Sequence, residues 1–437
     1  MEIVGLSRDK IKSISKIKEE SDYFRKYRLD SYEKFLNLPM PKFGPKIDID
    51  FEKIIYYKNS LQDRKLVNNW NEVLRPIRDE LDSVGVLESE THMGGVGVQY
   101  ESEVIYHNML KEIEDKKVIF TSIENAIDKY PELVKKYFGK IVSNSDNKFA
   151  ALNSSVFSGG SFIYVPKNTV LERPLESYFR INSRNMGQFE RTLIIVDDNS
   201  SLHYIEGCTA PSYSDSSLHA AVVEIYVGKN SKCRYSTIQN WANNVYNLVT
   251  KRALVDTNGV MEWIDGNIGS YKTMKYPACI LKGDNSSGTC ITISVASKDQ
   301  EQDSGARMIH LGCNTKSNII SKSISKNGGS ANYRGKVYIE KKAHNSSSIV
   351  KCDTLILDKK SKSDTIPVNS CYNTTSNIEH EATVSKISPD KLFYMMSRGL
   401  SEERATELIV LGFLDRFRQE LPMEYAVELN QLIKRNI

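Results

Sequence analysis

Two segments late in the chain carry residue types that could hold a metal centre. Cys352 lies in SIVKCDTLILD, and His380 and Glu381 lie in IEHEATVSKI, 28 and 29 residues further on. A thiolate beside an imidazole or a carboxylate suits iron–sulfur chemistry, and so few protein ligands suit a cluster held transiently. Both segments read as strands, whose alternate side chains face opposite sides. A lone cysteine and a lone histidine in purely structural roles would leave the same residues in the sequence.

A second set stands earlier: Arg180 and Asn182 in YFRIN, Cys208 in EGCTAP, Gln239 and Trp241 in IQNW, and Lys251 in VTKRA. Polar residues at alternate strand positions could line the inside of a coiled sheet. A cation near Cys208 is expected to lower its pKa and favour thiolate or persulfide chemistry. The competing reading is a set of satisfied core polar residues.

Other chemistry is missing from the sequence. GGSANYRGKV, from Gly328 to Val337, resembles a phosphate loop, but its spacing is off by one and Val337 stands where Ser or Thr is required. There is no HExxH, no GxSxG and no paired-Asp cluster of a solenoid lyase. The seven cysteines (208, 233, 279, 290, 313, 352 and 371) form no CxxC, which argues against a disulfide framework or a preformed zinc site and for a reducing compartment.

The elements that must position these residues announce themselves through a repeated corner. An apolar run, then Asn followed by Ser, Thr or Gly, recurs at Asn168, Asn199, Asn230, Asn258, Asn285, Asn314 and Asn345, spaced 31, 31, 28, 27, 29 and 31 residues apart. Asn tolerates the left-handed conformation of a tight corner. A period near 30 built of short β runs indicates a solenoid whose stacked coils bury a continuous core. Coils about 4.8 Å apart would bring Cys352 and the His380–Glu381 pair together. An ordinary antiparallel sheet with polar turns is the alternative.

Three regions follow. Residues 1–147 read as mainly helical, with Ser7 capping a first helix, aromatic residues from Phe24 to Phe35 on a second, and more helix over Leu61–Leu87 and Glu101–Lys117. The segment THMGGVGV at 91–98 reads as a turn. Residues 148–387 read as the β-solenoid core, with bends at Gly159–Gly160 and Gly328–Gly329. Residues 388–437 return to helix: Ser388-Pro389 starts one, Gly399 ends it, Ser401 caps the next, and Pro422 opens a third carrying Tyr425, Leu429, Leu432 and Ile433. On the second of these helices Ala405, Leu408, Ile409 and Phe413 should share a face. This region could cap the solenoid and still offer a face to a partner.

The totals fit an ordinary globular chain of 437 residues, 40% hydrophobic and 26% charged. A net charge of +4 gives no argument for nucleic acid or a membrane surface. No apolar run is long enough to span a bilayer, and the N-terminus has neither an h-region nor a cleavage site.

The segments NKFAALNSSVFSGGSFIYVPK, YFRIN, NMGQFERTLIIVDD, HYIEGCTAPSYS, DSSLHAAVVEI, IQNW, MEWIDGNIGS, CDTLILD, EHEATVSKIS and LFYMMSRGLSEE closely resemble the SufB/SufD family, its SufB branch above all. These are scaffold subunits of the SUF system for iron–sulfur cluster assembly. The resemblance covers nearly the whole chain. It implies a right-handed parallel β-helix between helical N- and C-terminal regions. It implies a scaffold, not an enzyme, that works with SufC, an ABC-type ATPase docking on the C-terminal helices, and with SufD or a second SufB copy. It further implies that Cys352 carries the nascent cluster with Glu381 as acidic co-ligand and His380 beside it. Cys208 would accept sulfur from a cysteine desulfurase and its sulfur carrier, and Arg180, Asn182, Gln239, Trp241 and Lys251 would pass it towards Cys352. Reduced flavin acting through the complex is a candidate cofactor beside the transient cluster. A SufD-like structural partner without its own cluster is the alternative function.

Some features depart from that pattern. The N-terminal CxxCxxxC of some bacterial members is absent, Cys313 in HLGCNT stands where relatives commonly have no cysteine, and the loop from Trp241 to Tyr246 is short. The end at KRNI lacks the Gly-containing tail of many relatives. With its Lys/Asn-rich composition and no targeting segment, the chain is expected in a plastid or apicoplast stroma if organelle-encoded, and otherwise in a bacterial cytoplasm. A β-helix carbohydrate lyase or hydrolase would need export and a carboxylate cluster, and neither is visible.

Overall fold

The computed structural model describes residues 2–59, 67–73, 75–82, 92–210 and 216–421, with 426 and 430. Two long sheets face one another. One has ten strands, running from Asn377–Lys386 through Ser347–Ile356, Lys316–Ser325, Ser287–Ala296, Val260–Gly269, Lys232–Trp241 and Ser201–Thr209 to Leu175–Arg180 and Gly95–Tyr100, with Glu103–Met109 at its edge. The other has twelve, from Thr365–Cys371 at one end to Ile119–Ser122 at the other. The chain alternates between the sheets, so sheet neighbours are one coil apart in sequence. The result is a parallel β-solenoid of about eight turns flanked by helical N- and C-terminal regions.

The repeated corner explains the coils. Asn168, Asn199, Asn230, Asn258, Asn285, Asn314 and Asn345 all take φ between 54° and 60°, the left-handed region that Asn reaches more cheaply than most residues. Successive corners also bond to one another. The Asn199 amide donates to Asn168 Oδ1 at 2.9 Å, Asn230 to Asn199 at 3.0 Å and Asn258 to Asn230 at 2.8 Å. Gly159 and Gly160, at φ of 71° and 101°, make the expected bend, and a Cβ on Gly160 would strike the Arg191 backbone at 2.3 Å.

Between the sheets lies a core that includes Tyr204, Tyr235, Trp263, Cys290, Ile319, Val350 and Cys352. A second apolar layer lies on the outer face of the ten-stranded sheet, where Ile205, Ile238, Ile264 and Ile291 meet Val410, Leu414 and Phe417 of helix Glu402–Arg418. That helix therefore buries Ala405, Val410, Leu414 and Phe417, while Leu408, Ile409 and Phe413 of the expected face are only partly covered. Its start and the preceding helix are capped as expected. Arg404 N donates to Ser401 Oγ at 3.2 Å and Lys391 N to Ser388 Oγ at 3.3 Å. The expected third helix from Pro422, with Tyr425, Leu429, Leu432 and Ile433, lies outside the described residues apart from 426 and 430.

The first 147 residues hold more strand than their sequence suggested. Helices Arg8–Ile17, capped by Ser7, and Asp22–Asn37 are present. Helix expected over 61–87 is seen at Arg75–Asp82 and in a single turn at Trp70–Glu72, and 60–66 and 83–91 lie outside the described residues. The segment expected as a turn instead contributes strand Gly95–Tyr100, and the helix expected at 101–117 is replaced by strand Glu103–Met109 and reduced to one turn at Lys111–Glu114. Val96 and Val98 alternate with glycine and side with the buried outer face of the sheet, so packing against Leu175–Arg180 overrides the turn reading. Conversely, the core region opens on helix Lys148–Val156, which is buried from Phe149 onward and capped by Asn147. Its Ala150-Ala151-Leu152 run and its cap favour helix there.

Candidate functional site

Strict parallel register stacks interior residues of the ten-stranded sheet into columns. Glu206, Thr237, Asp265, Thr292, Ser321 and Cys352 stand in one column. The next column, two residues along each strand, holds Cys208, Gln239, Asn267, Ser294, Ser323 and Thr354. The two cysteines singled out from the sequence thus occupy neighbouring interior columns, five strand steps apart. At about 4.8 Å per step that is about 24 Å along the axis.

Interior charge fills the near part of this span. Lys251 reaches across from the twelve-stranded sheet, with Nζ 3.4 Å from Glu206 Oε1 and 3.8 Å from Asp265 Oδ1. Lys275 Nζ lies 2.7 Å from Asp265 Oδ1 and donates to Asn267 Oδ1 at 3.1 Å. Tyr235 donates its hydroxyl to Glu206. Beyond them Ser294 Oγ meets Ser304 Oγ at 2.6 Å across the two sheets, and Ser304 stands in register with Tyr333. All four charged side chains are buried. Burial works against the Lys251 cation, but Glu206 and Asp265 outweigh it and raise its pKa. Lys275, desolvated and repelled by Lys251, is pulled down to about 8.

Cys208 is fully buried, and its thiol sits well above the ordinary thiol range. Burial is the main cause, followed by the Glu206 and Glu190 carboxylates, with Lys251 and Lys275 pulling weakly the other way. The expectation that a nearby cation activates this thiol is therefore corrected: the Lys251 ammonium is engaged by Glu206 and Asp265, and Glu206 Oε1 lies 3.8 Å from Cys208 Sγ. Gln239 Oε1 accepts from Asn247 Nδ2 at 2.8 Å, Asn247 Oδ1 lies 2.8 Å from His219 Nδ1, and His219 Nε2 contacts Glu190 Oε1. The Trp241 ring covers His219, with centroids 4.7 Å apart. The structure so brings Cys208, Gln239, Trp241 and Lys251 into one neighbourhood. Arg180 has the opposite parity: it pairs with Thr209 in the ladder and donates to Thr209 Oγ1 at 2.9 Å, and Asn182 bonds the Tyr100 hydroxyl.

At the far end, Cys352 Sγ lies 3.7 Å from His380 Nε2, and Asn369 Nδ2 lies 3.4 Å from His380 Nδ1. Burial pushes the Cys352 thiol up to about 12, although Tyr333 pulls it down. Glu381 is not part of this contact within the chain. It pairs with Lys351 in the ladder, lies on the other face of the strand, and is 67% exposed with its carboxylate 3.7 Å from Lys351 Nζ. Strands Thr365–Cys371 and Asn377–Lys386 end their sheets, and Val368 and Val384 on them are exposed, as is Tyr372 just past the first.

Glu190, Glu206, His219, Asp265 and Lys275 were not singled out from the sequence. Glu206 precedes Cys208 by two and so shares its face, which is the one signal that could have found it. His219 lies inside DSSLHAAVVEI, a segment that carried the family resemblance.

Residues 179–413 match the family described as SUF system FeS cluster assembly, SufBD core domain, and residues 99–176 match the SufBD protein N-terminal region. The chain belongs to the SufBD family of iron–sulfur cluster assembly proteins. It is 54% identical to the iron–sulfur cluster assembly protein SufB of Bacillus subtilis over 432 residues, 98% of this chain and 92% of that protein. It is 56% identical to an iron–sulfur cluster assembly SufBD family protein of Staphylococcus saprophyticus over the same shares. These relatives are bacterial, and the plastid expectation gains no support from them. No helix among the described residues is long and apolar enough to cross a membrane.

Proposed function

We propose that this chain is the scaffold on which an iron–sulfur cluster is built, with Cys208 accepting sulfur and Cys352 carrying the nascent cluster. The observation that supports this best is the pair of buried cysteines on adjacent interior columns, joined by polar side chains along the solenoid. In the accepting step, the Cys208 sulfur attacks the outer sulfur of a carrier persulfide. The carrier's S–S bond breaks, its thiolate leaves, and Cys208 becomes the persulfide, with no net oxidation. A cysteine desulfurase and its sulfur carrier supply that persulfide.

Sulfur then moves along the Glu206–Lys251–Asp265–Lys275 interior towards Cys352, where iron and sulfide are cargo. Gln239 and Trp241 shape the start of this path, and Arg180 and Asn182 hold the strand ends around it from the other face. His380 stands as a neighbouring ligand, and Glu381 serves a cluster that reaches the outer face of the last coil. Reduction of persulfide to sulfide needs two electrons from outside the chain, and reduced flavin in the complex is the candidate donor. SufC docks on helix Pro389–Ser397, whose Phe393 is 75% exposed, and SufD or a second copy covers the open last coil.

The test is anaerobic reconstitution with iron and a sulfur source, followed by Mössbauer and visible absorption. Cys352→Ser should abolish cluster build-up. Cys208→Ser should block delivery from the carrier yet assemble a cluster from free sulfide. A normal cluster on Cys352→Ser would overturn the assignment. No cluster on the wild type with its partners present would favour a SufD-like structural role instead.

A further inference from the structure

Glu190, Cys208 and His219 form a trio of buried side chains whose carboxylate, sulfur and ring-nitrogen atoms all lie within 4.8 Å of one another. They come from three different stretches of chain, and the solenoid alone brings them together. His219 Nδ1 faces Asn247 Oδ1 at 2.8 Å, which calls for a proton on Nδ1 and turns the Nε2 lone pair towards the Glu190 carboxylate. Two acceptors in contact need a proton or a cation between them. A histidine that donates its second N–H to a carbonyl oxygen while its free nitrogen faces a carboxylate, with a cysteine sulfur close by, has the orientation of a metal ligand with its supporting shell in place. Asn247 is held in turn by Gln239.

A second observation points the same way. Glu190 Oε2 is buried with no partner, although unsatisfied buried carboxylate oxygens are costly. The Trp241 indole N–H beside the trio is likewise unpartnered.

We propose that Glu190, Cys208 and His219 bind one divalent transition-metal ion, ferrous iron or zinc, in an enclosed three-ligand site beneath Trp241. One sulfur, one nitrogen and one oxygen ligand with a fourth position left open is a donor set that suits either ion. Binding replaces the thiol proton and the proton between His219 and Glu190 with one dication, so the buried charge does not change. The inference goes beyond sulfur acceptance at Cys208 and does not rest on it.

Cobalt(II) serves as the probe, titrated anaerobically into the full chain carrying Cys313→Ser, Cys352→Ser and Cys371→Ser, which silences the other metal-accessible thiols. One cobalt per chain with a thiolate-to-cobalt charge-transfer band is expected. Cys208→Ser should abolish the band, and Glu190→Gln and His219→Gln should each weaken binding at least about tenfold. No band in the parent protein, or a band that survives Cys208→Ser, overturns the site. Should a variant fail to fold by circular dichroism, zinc X-ray absorption on the parent protein decides. One sulfur at about 2.3 Å with nitrogen and oxygen neighbours supports the site, and a shell without sulfur overturns it. Persulfide labelling of Cys208, read separately, tests sulfur acceptance, so either idea can fail alone.

Discussion

Cys208 and Cys352 combine deep burial with thiols held in the neutral form, the reverse of an exposed reactive cysteine. Cys371 is exposed and Cys313 half-exposed. With iodoacetamide at pH 8, Cys371 should be fully alkylated before Cys208 shows measurable label by mass spectrometry. Equal rates would mean that the interior is open to solvent. Under the proposed function, a sulfur carrier would have to gain access to Cys208 rather than meet it at the surface. At this scale the sequence yielded the cysteines, Gln239, Trp241 and Lys251, but not their partners. Nothing local marks Glu206, Asp265 and Lys275 as interior, and only the coil geometry shows that the two carboxylates are balanced inside by Lys251 and Lys275. The choice between His380 and Glu381 beside Cys352 was equally hidden. Adjacent strand residues face opposite sides, and a spacing of 28 or 29 fits a coil equally well.

Among the elements, the asparagine corners and the helix Glu402–Arg418 make the clearest demands. Asn258→Ala places a Cβ-bearing residue without Asn's local hydrogen bonding at φ 56° and breaks the bond to Asn230, so it should cost about 1–2 kcal/mol in denaturant unfolding. Asn258→Gly should recover most of that loss, and equal losses would put the cost in the ladder alone. Phe417→Ala should destabilise by about 3–5 kcal/mol, since the ring is buried against the outer face of the ten-stranded sheet. Phe393→Ala, on the exposed helix Pro389–Ser397, should stay within about 0.5 kcal/mol while weakening co-purification with SufC. Unchanged co-purification would place the docking surface elsewhere. Point substitutions are the sharper test, because truncation near residue 390 would also strip Val410, Leu414 and Phe417 from the sheet. The corners were legible in the sequence because left-handed backbone narrows residue choice. The strand Gly95–Tyr100 was not, because its parallel partner in the sheet lies 80 residues away.

The whole molecule carries its ionisable groups in a way that bounds its pH range on both sides. Burial draws His107, His203 and His310 from 6.5 down to about 4, so the unfolded chain binds more protons across that interval. Stability should fall as pH drops from 6.5 towards 4. On the alkaline side Cys290 and Cys352 move from 9.0 up to about 12, and Cys208, Cys233 and Cys279 move in the same direction. The unfolded chain loses these protons first, so stability present below 9 should be lost between 9 and about 12. Urea midpoints measured across both windows check the signs, and a midpoint that rose in either would contradict them. The solenoid was visible from the period near 30, because a repeated corner is a local signal. The open last coil has a consequence for how the molecule breathes. In a quasi-one-dimensional stack each rung is held only by its neighbours, and a terminal rung has one neighbour instead of two. Strands Thr365–Cys371 and Asn377–Lys386 are such rungs, whereas Ser201–Thr209 is bonded on both sides. Amide hydrogen exchange should therefore run fastest around His380 and slowest around Cys208, making the end that carries Cys352 the pliant end of an otherwise stiff rod.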